Sequence, residues 1–384
     1  MEVKVIATTK PGMVVDKKEF DLFGGHVAGI CYMPGTFEEI MDEPEEKTLK
    51  RVELTKGNLH HSVYDHLYIT LLLTGIPKLL AMLLNNEQDY TTSEKSARYT
   101  VMKPSDKELE LYNKWLEIFK REITAAYPEF DEKKVVKLAQ ENARYLNSVA
   151  TPTTMAHTVS YRQLNYLYGW MKKLIANPGN ELEVFLKPYV EELAVQIEGT
   201  GYLDKDLMDD HKGRNFKLIA FDNTKRVEYF GDSYCTNYKG SFAQMAQAHR
   251  HRTLSYSITL LDEPEFFIPP IIEENKELVK EWLEDMKKVV HLYPQGMLVL
   301  INERGTYENF ILKCKERLCT AAQLEICRQT RKTLLKYRDT LRASNHPLKD
   351  DIEKYTRGAR CTFPDFDCPN DCHFAPGKKL ERKI

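Results

Sequence analysis

The run His249-Arg250-His251-Arg252-Thr253-Leu254-Ser255 sets four permanent or conditional cations beside two hydroxyls, and the next carboxylates along the chain are Asp262 and Glu263. Such a cluster calls for an anionic partner, although a basic stretch standing alone is ordinarily a solvated face. Gln247, three residues before Arg250, adds an amide to it. Far away, Ser96-Ala97-Arg98-Tyr99 pairs a hydroxyl with a guanidinium. Hydroxyls and guanidinium forks are the charge-assisted donors that a phosphate monoester needs. Read singly, Ser96 is an ordinary cap or strand residue, Arg98 a surface arginine, and Arg144 a helix-face partner of Glu141.

The bulk composition narrows the partner. Apolar residues make up 42% of the 384 and charged residues 29%, with a net charge of −2, so a local basic site in a near-neutral chain points to a small anionic ligand rather than a nucleic-acid coat. The length allows two domains or one large one. Met1-Glu2-Val3-Lys4 leads into a strand-like run without the apolar core of a secretory signal. The longest apolar run, Leu67 to Leu84, is interrupted by Thr70, Thr74, Gly75, Pro77 and Lys78. It reads as a buried strand (Leu67 to Leu73), a turn (Thr74 to Pro77) and a helix (Lys78 to Leu84), not a membrane span. Five of the eight cysteines sit in apolar or helical contexts, as reduced thiols of a cytoplasmic protein would. The other three, Cys361, Cys368 and Cys372, lack the C-x2-C spacing of a zinc knuckle, so no metal is assigned.

Helical periodicity covers Glu108 to Ala126, Asp131 to Tyr145, Tyr161 to Ala176, Glu181 to Glu198, Glu273 to His291 and one long stretch from Cys314 to Ala343. Strand-like runs cover Val3 to Thr8, Gly29 to Tyr32, Leu67 to Leu73, Phe216 to Phe221, Ser255 to Leu261 and Met297 to Ile301. Helices cluster between short bursts of strand, which predicts an α+β fold. Gly, Asp and Lys concentrate after Glu198, as in a linker, and the two halves echo each other. Thr74-Gly75-Ile76-Pro77-Lys78 through Met82 parallels Lys239-Gly240-Ser241 through Gln247, and beyond the helices, one residue out of that register, Asn86-Glu87-Gln88 is set against Arg250-His251-Arg252, and Ser96 and Arg98 against Leu260 and Asp262.

Here the chain resembles the flavin-dependent thymidylate synthases, whose signature R-H-R-x7-S is followed by an Arg two residues on. The likeness is split: Gln247 and Arg250-His251-Arg252 match one part, Ser96-Ala97-Arg98 the other, and neither half holds both. His60-His61-Ser62-Val63-Tyr64-Asp65-His66 resembles the family's H-x-S/T-x-x-E-H segment, Glu141-Asn142-Ala143-Arg144 its nucleotide-contacting helix, and Asn302-Glu303-Arg304 its N-x-R element. Arg317-Leu-Cys-Thr-Ala-Ala-Gln323-Leu324-Glu325-Ile326 resembles R-x-C-x-x-A-Q-W-E-I, with Leu324 for Trp. Ser257 and Ile258 stand where the family has Asn and Glu, which the first half supplies as Ser93 and Glu94.

The resemblance implies two fused copies of that fold packed as a pseudo-dimer: residues 1–198 keeping the nucleotide-side motif, a linker at 199–213, a second copy at 214–345 keeping the flavin-side motif, and a cysteine-containing tail at 346–384. It implies reductive methylation of dUMP to dTMP with FAD, NADPH and methylenetetrahydrofolate at a composite site between the copies. Ser96 and Arg317 are then catalytic, while Gln247, Ser96, Ala97, Arg98, Arg144 and Arg317 bind the pyrimidine nucleotide monophosphate. Arg250, His251, Arg252, Ser255, Asn302, Arg304, His61, Ser62 and Asp65 bind the cofactor. A homodimer would mimic the family's homotetramer. Two other outcomes follow from the same motifs, hydroxymethylation or another C5 modification of a pyrimidine nucleotide, and a catalytically inactive nucleotide-binding paralogue.

Overall fold

The computed structural model describes residues 13–86, 90–95, 105–209, 211, 226–368 and 380–384. Asp16 caps α1 (Lys17–Tyr32) by accepting a hydrogen bond from the Glu19 N–H, and Thr36 and Glu39 cap α2 (Phe37–Met41) reciprocally. Next come α3 (Glu45–Gly57), a 3-10 turn over His61–His66, and β1 (Tyr68–Pro77). Helix α4 (Lys78–Leu84) starts on the residue after β1, and β2 (Tyr90–Glu94) follows it. Two amphipathic helices, α5 (Asp106–Ala126) and α6 (Glu132–Ala143), lead through a 3-10 turn at Arg144–Leu146 into β3 (Pro152–Ser160). Helices α7 (Tyr161–Ala176) and α8 (Glu181–Glu198) close this half.

The second half repeats the order. After the short β4 (Tyr229–Phe230) come β5 (Ser233–Ser241), α9 (Phe242–Ala248) and β6 (Ser255–Leu260). Helix α10 (Lys276–Lys288) and a 3-10 turn at Val290–Leu292 lead into β7 (Leu298–Thr306). Helices α11 (Tyr307–Arg317), α12 (Leu324–Ala343) and α13 (Lys349–Ile352) follow. The sheets run β1-β3-β2 and β4-β5-β7-β6, so once β4 is set aside the strand order is the same.

Single hydrogen bonds match as well. The first two N–H groups of α4, on Lys78 and Leu79, donate to Thr151 O at 3.0 Å and Val149 O at 2.8 Å. Those of α9, on Phe242 and Ala243, donate to Met297 O at 3.3 Å and Gln295 O at 2.9 Å. Ser148 and Pro294 then face each other in an antiparallel bridge. Val149 N–H donates to Tyr293 O at 2.9 Å and Gln295 N–H to Asn147 O at 2.7 Å, a reciprocal pair.

Contacts group the chain into two units, one of residues 1–72, 89–92 and 156–215, the other of residues 73–88, 93–155 and 216–384. The first is held by helices around a buried charge cluster. Lys56 Nζ donates to Asp21 and Asp204, each at 2.8 Å, and Lys17 lies 2.6 and 2.7 Å from the same carboxylates. Two lysines against two carboxylates leave no unpaired buried charge, which would cost several kcal/mol. In the second unit Trp115 of α5 and Trp282 of α10 meet edge to face, 4.8 Å between ring centres, with Phe119 against both. Both indole N–H groups find acceptors, Asp285 Oδ2 at 2.9 Å and Phe267 O at 2.8 Å. Full burial of side chains of this size contributes about 1.5–3 kcal/mol each.

The α+β class holds, and most helices lie where periodicity places them. Gly29 to Tyr32 is not a strand: it is the last turn of α1, whose Gly25 and Gly29 face α3 and α2 in place of an apolar stripe. The stretch Cys314 to Ala343 is not one helix, because Leu318 to Gln323 leaves helical geometry between α11 and α12. Thr74 to Pro77 continues β1 instead of turning, with Gly75 taking the positive φ of +79°. That strand is not buried either, since Tyr68 and Leu72 are exposed. Val3 to Thr8 and Phe216 to Phe221 lie outside the described residues. Among the described residues, no helix is long and apolar enough to cross a membrane.

Candidate functional site

In the second unit the non-helical link Leu318 to Gln323 brings residues from distant parts of the sequence into one hydrogen-bonded chain. Arg144, on the 3-10 turn before β3, is buried, and its Nη2 donates to Gln323 Oε1 at 2.7 Å. The same oxygen accepts from Gln247 Nε2 of α9, and Gln323 Nε2 donates to the Tyr145 hydroxyl. Tyr145 passes its proton-bearing side to Glu325 Oε2 at 2.8 Å. Glu325 also accepts from Ser241 N–H at 2.8 Å and Ser241 Oγ at 2.6 Å. Burial raises the Glu325 carboxyl against these three donors, and burial together with Glu325 keeps the Tyr145 hydroxyl far above its ordinary value. Gly296 makes room for the chain, for a side chain there would meet Tyr145 Cβ at 2.9 Å.

Arg317, the last residue of α11, closes the other end. Its Nε donates to His251 Nε2 at 2.6 Å and its Nη2 to the Gln247 carbonyl at 3.3 Å. His251 therefore accepts, and is neutral. Burial, with Arg317 and Lys313 nearby, lowers it to about 2. His249 is lowered to about 3, first by burial and then by Lys78.

A second cluster adjoins. Lys78, at the first position of α4, is buried and lies 2.5 Å from Glu94 Oε1 at the end of β2. Glu94 Oε2 is buried without a hydrogen-bond partner among the described residues, and Arg250 Nη2 stands 3.8 Å from it. Burial lowers the Lys78 ammonium; Glu94 opposes that shift, while Arg250 and Arg144 add to it. Arg250 is exposed, and so is Arg252.

On the strands, Ser255 of β6 stands directly opposite Arg304 of β7, which puts their side chains on one face. Among the described residues Arg304 Nε and Asn302 Oδ1 are buried without hydrogen-bond partners, while Asn302 Nδ2 donates to Thr236 O and Asn237 Oδ1, both at 3.2 Å. Gln247 Oε1 is unpartnered too. Buried polar atoms are nearly always paired in folded proteins, and orphans occur elsewhere in the chain as well, on Asn147, His157 and Thr330 among others.

The remaining candidates fall in the first unit or outside the description. His61 is buried, its Nε2 3.2 Å from Lys56 O and its Nδ1 3.4 Å from the Tyr166 hydroxyl. Asp65 accepts from Arg162 at 2.7 Å and Ser160 Oγ at 2.8 Å, and Ser62 is exposed. Ser96, Ala97, Arg98, Glu87, Gln88 and Cys372 lie outside the described residues. Among the described residues, no group of His, Cys, Asp and Glu is arranged to hold a metal ion. Lys78, Tyr145 and Ser241 were not legible as site residues. Lys78 alone left a signal, a charge inside an apolar run, and it reads equally well as an interruption.

Residues 20–173 match the family model of the thymidylate synthase complementing protein. No curated protein matches the chain. Among solved structures it is similar to a flavin-dependent thymidylate synthase from Helicobacter pylori complexed with FAD and dUMP, at 19% identity over 50% of this chain and 95% of that one. The TM-score there is 0.30, too low to carry an argument beside the family match. The segment of residues 20–173, which holds Lys78, Glu94 and Arg144, is thus similar to the thymidylate synthase complementing protein family, the flavin-dependent thymidylate synthases.

Proposed function

We propose that this chain converts dUMP to dTMP by flavin-dependent reductive methylation, at a site shared by its two halves. The observation that carries the reading is the hydrogen-bonded chain from Arg144 through Gln323 and Gln247 to Arg317 and His251. One of its members comes from the first half and the others from the second. The matched strand orders and the reciprocal bonds about Ser148 and Pro294 support two fused copies, residues 1–198 and 214–345, meeting as subunits of the family would. A second copy of the chain is the proposed partner. Tyr68 and Leu72 on β1 and Ile30 and Tyr32 on α1, all exposed, support an apolar interface on the first unit.

In this reading Arg144, Arg317 and Gln247, with Ser96, Ala97 and Arg98, hold the nucleotide. Phosphate takes the guanidinium forks, and a fixed cation at Arg317 stabilises negative charge developing on the pyrimidine ring. The orphaned Asn302 Oδ1 and Arg304 Nε, with Ser255 and the exposed Arg250 and Arg252, fit the polar and pyrophosphate parts of FAD. His251, His61, Ser62 and Asp65 complete that assignment. FAD supplies hydride chemistry, with NADPH as reductant and methylenetetrahydrofolate as carbon donor. The chain's own residues orient the two ligands and fix charge between them. The cytoplasm, where these substrates and reduced thiols coexist, is the proposed location.

Leu324, buried where the family carries Trp, favours a second reading in which a pyrimidine nucleotide is hydroxymethylated. One experiment tests both. Purified protein is incubated with dUMP, methylenetetrahydrofolate, NADPH and FAD, and the nucleotide product is weighed by mass spectrometry. A methyl adduct supports the first reading and a hydroxymethyl adduct the second. Failure to retain flavin or alter dUMP leaves an inactive nucleotide-binding paralogue. In the flavin-bound protein, Arg250→Ala should release the cofactor, read as loss of visible absorbance after gel filtration.

A further inference from the structure

Lys78 has no reason to be charged on packing grounds. Its counterpart by hydrogen bonding, the first residue of α9, is Phe242, fully buried. An ammonium at such a position costs several kcal/mol unless it is paired. The pairing is with Glu94 alone among the described residues, and it uses one carboxylate oxygen while the other stays buried, unpartnered and 3.8 Å from Arg250. The counterpart of Glu94 is Ile258, eight positions beyond Arg250 as Glu94 is eight beyond Asn86. The second half therefore lacks both members of the pair.

We propose that Lys78 is a positioning residue for the nucleotide site: it clamps Glu94 Oε1 and so fixes Oε2 as an acceptor for an N–H or O–H donor of a pyrimidine nucleotide. Gln247 Oε1, another orphaned acceptor, gives the same ligand a second anchor. Arg144 and Arg250, whose charges act on Lys78, face the ligand's anionic group. The inference rests on the nucleotide reading above.

The charged and titratable groups around Lys78 are Glu94 on β2, His249 and Arg250 after α9, and Arg144 before β3. Calorimetric titration of the full chain with dUMP between pH 5.5 and 8.5 tests the role. Lys78→Met should weaken binding about tenfold or more, as expected when a buried charged acceptor loses its partner. Its binding should also weaken further as pH falls, because the buried carboxylate keeps only the more distant Arg250, at 3.8 Å, to hold its charge. Lys78→Arg should recover part of the affinity and remove the added pH dependence. Should Lys78→Met fail to fold, the double variant Lys78→Met/Glu94→Gln carries the test, for removing both charges together is close to neutral for folding. It should bind about tenfold more weakly than wild type with no acid-side loss. Affinity within about twofold of wild type, with an unchanged pH profile, in whichever variant folds would overturn the role of Lys78. Absence of dUMP binding by the wild-type chain would overturn the nucleotide reading itself, and the inference with it.

Discussion

Helices α4 and α9 occupy the same place in their strand–helix–strand runs, begin with the same hydrogen bonds, and carry opposite equipment. α4 opens on a cation, Lys78, and is otherwise leucine, alanine and methionine to its end. α9 opens on Phe242 and carries its polar group, Gln247, five residues on, where α4 has Leu83. Beyond the helices, Arg250 reaches toward Glu94, whereas its counterpart Asn86 donates to the Tyr256 carbonyl at 3.3 Å and serves as a tie between segments. The same division recurs ten residues into α7 and α11, where Met171 stands against Arg317. One backbone plan thus carries two sets of side chains, with a charge or an amide on one member of each helix pair and an apolar group on the other.

Exchanging members of these pairs should break the comparison in unequal ways. Met171→Arg puts a guanidinium at a position with no exposure, and should destabilise the fold by several kcal/mol in urea unfolding. Arg317→Met, by contrast, should leave a folded protein that binds dUMP about 2–5 kcal/mol more weakly by calorimetry. An Arg317→Met variant that kept full affinity would dissolve the distinction between the two helices. Gln247→Leu, which installs the first half's residue, should cost about 1 kcal/mol of binding by taking an amide from the site, while Gln323 Oε1 keeps its Arg144 donor. The reverse change, Leu83→Gln, should lower the melting temperature and leave dUMP affinity alone.

Acid stability sharpens the contrast. His249 and His251 have Asn85 and Glu87 as sequence counterparts, while the first half buries a ring elsewhere, at His157, lowered to about 4 by burial. His249 and His251 are both neutral in the fold, lowered to about 3 and about 2, and the unfolded chain protonates them near 6.5. The contribution of these two rings to stability is therefore complete above pH 6.5. It falls as pH drops toward the folded values, by about 1.4 kcal/mol per pH unit for each ring. His249→Asn should flatten that fall measurably in melting experiments between pH 4 and 7. The smallest expected effect lies at the equivalent caps of α7 and α11. Thr306→Ala removes an exposed cap at a cost of about 1 kcal/mol, and Ser160→Ala should cost more because Ser160 also donates to Asp65.

Much of this was legible in the chain. Apolar periodicity marks α5, α7, α8 and α10 because each buries one stripe, and Gln247, Arg250 and Arg317 carry motifs that keep their spacing. α1 was missed because it packs through Gly24, Gly25, Ala28 and Gly29, and close approach of small residues leaves no hydrophobic signal. The break between α11 and α12 was missed because Cys319, Ala321 and Ala322 all suit a helix. The chain leaves helical geometry there to deliver Gln323, a tertiary demand that local preference does not encode. Lys78 was invisible as a site residue since its partner lies sixteen positions away on another element.

The bridge of Ser148 to Pro294 carries a consequence for how such a molecule can change. Where two identical subunits meet about a two-fold axis, the residue on the axis faces its own copy, and any substitution alters both sides at once. Here the two sides differ. Pro294 has no N–H to offer, and the Ser148 N–H is turned to Glu108 Oε1 at 2.5 Å, with the Ser148 hydroxyl on Leu292 O at 2.6 Å. A single codon change at this seam alters one face alone and leaves the residue across the bridge as it was.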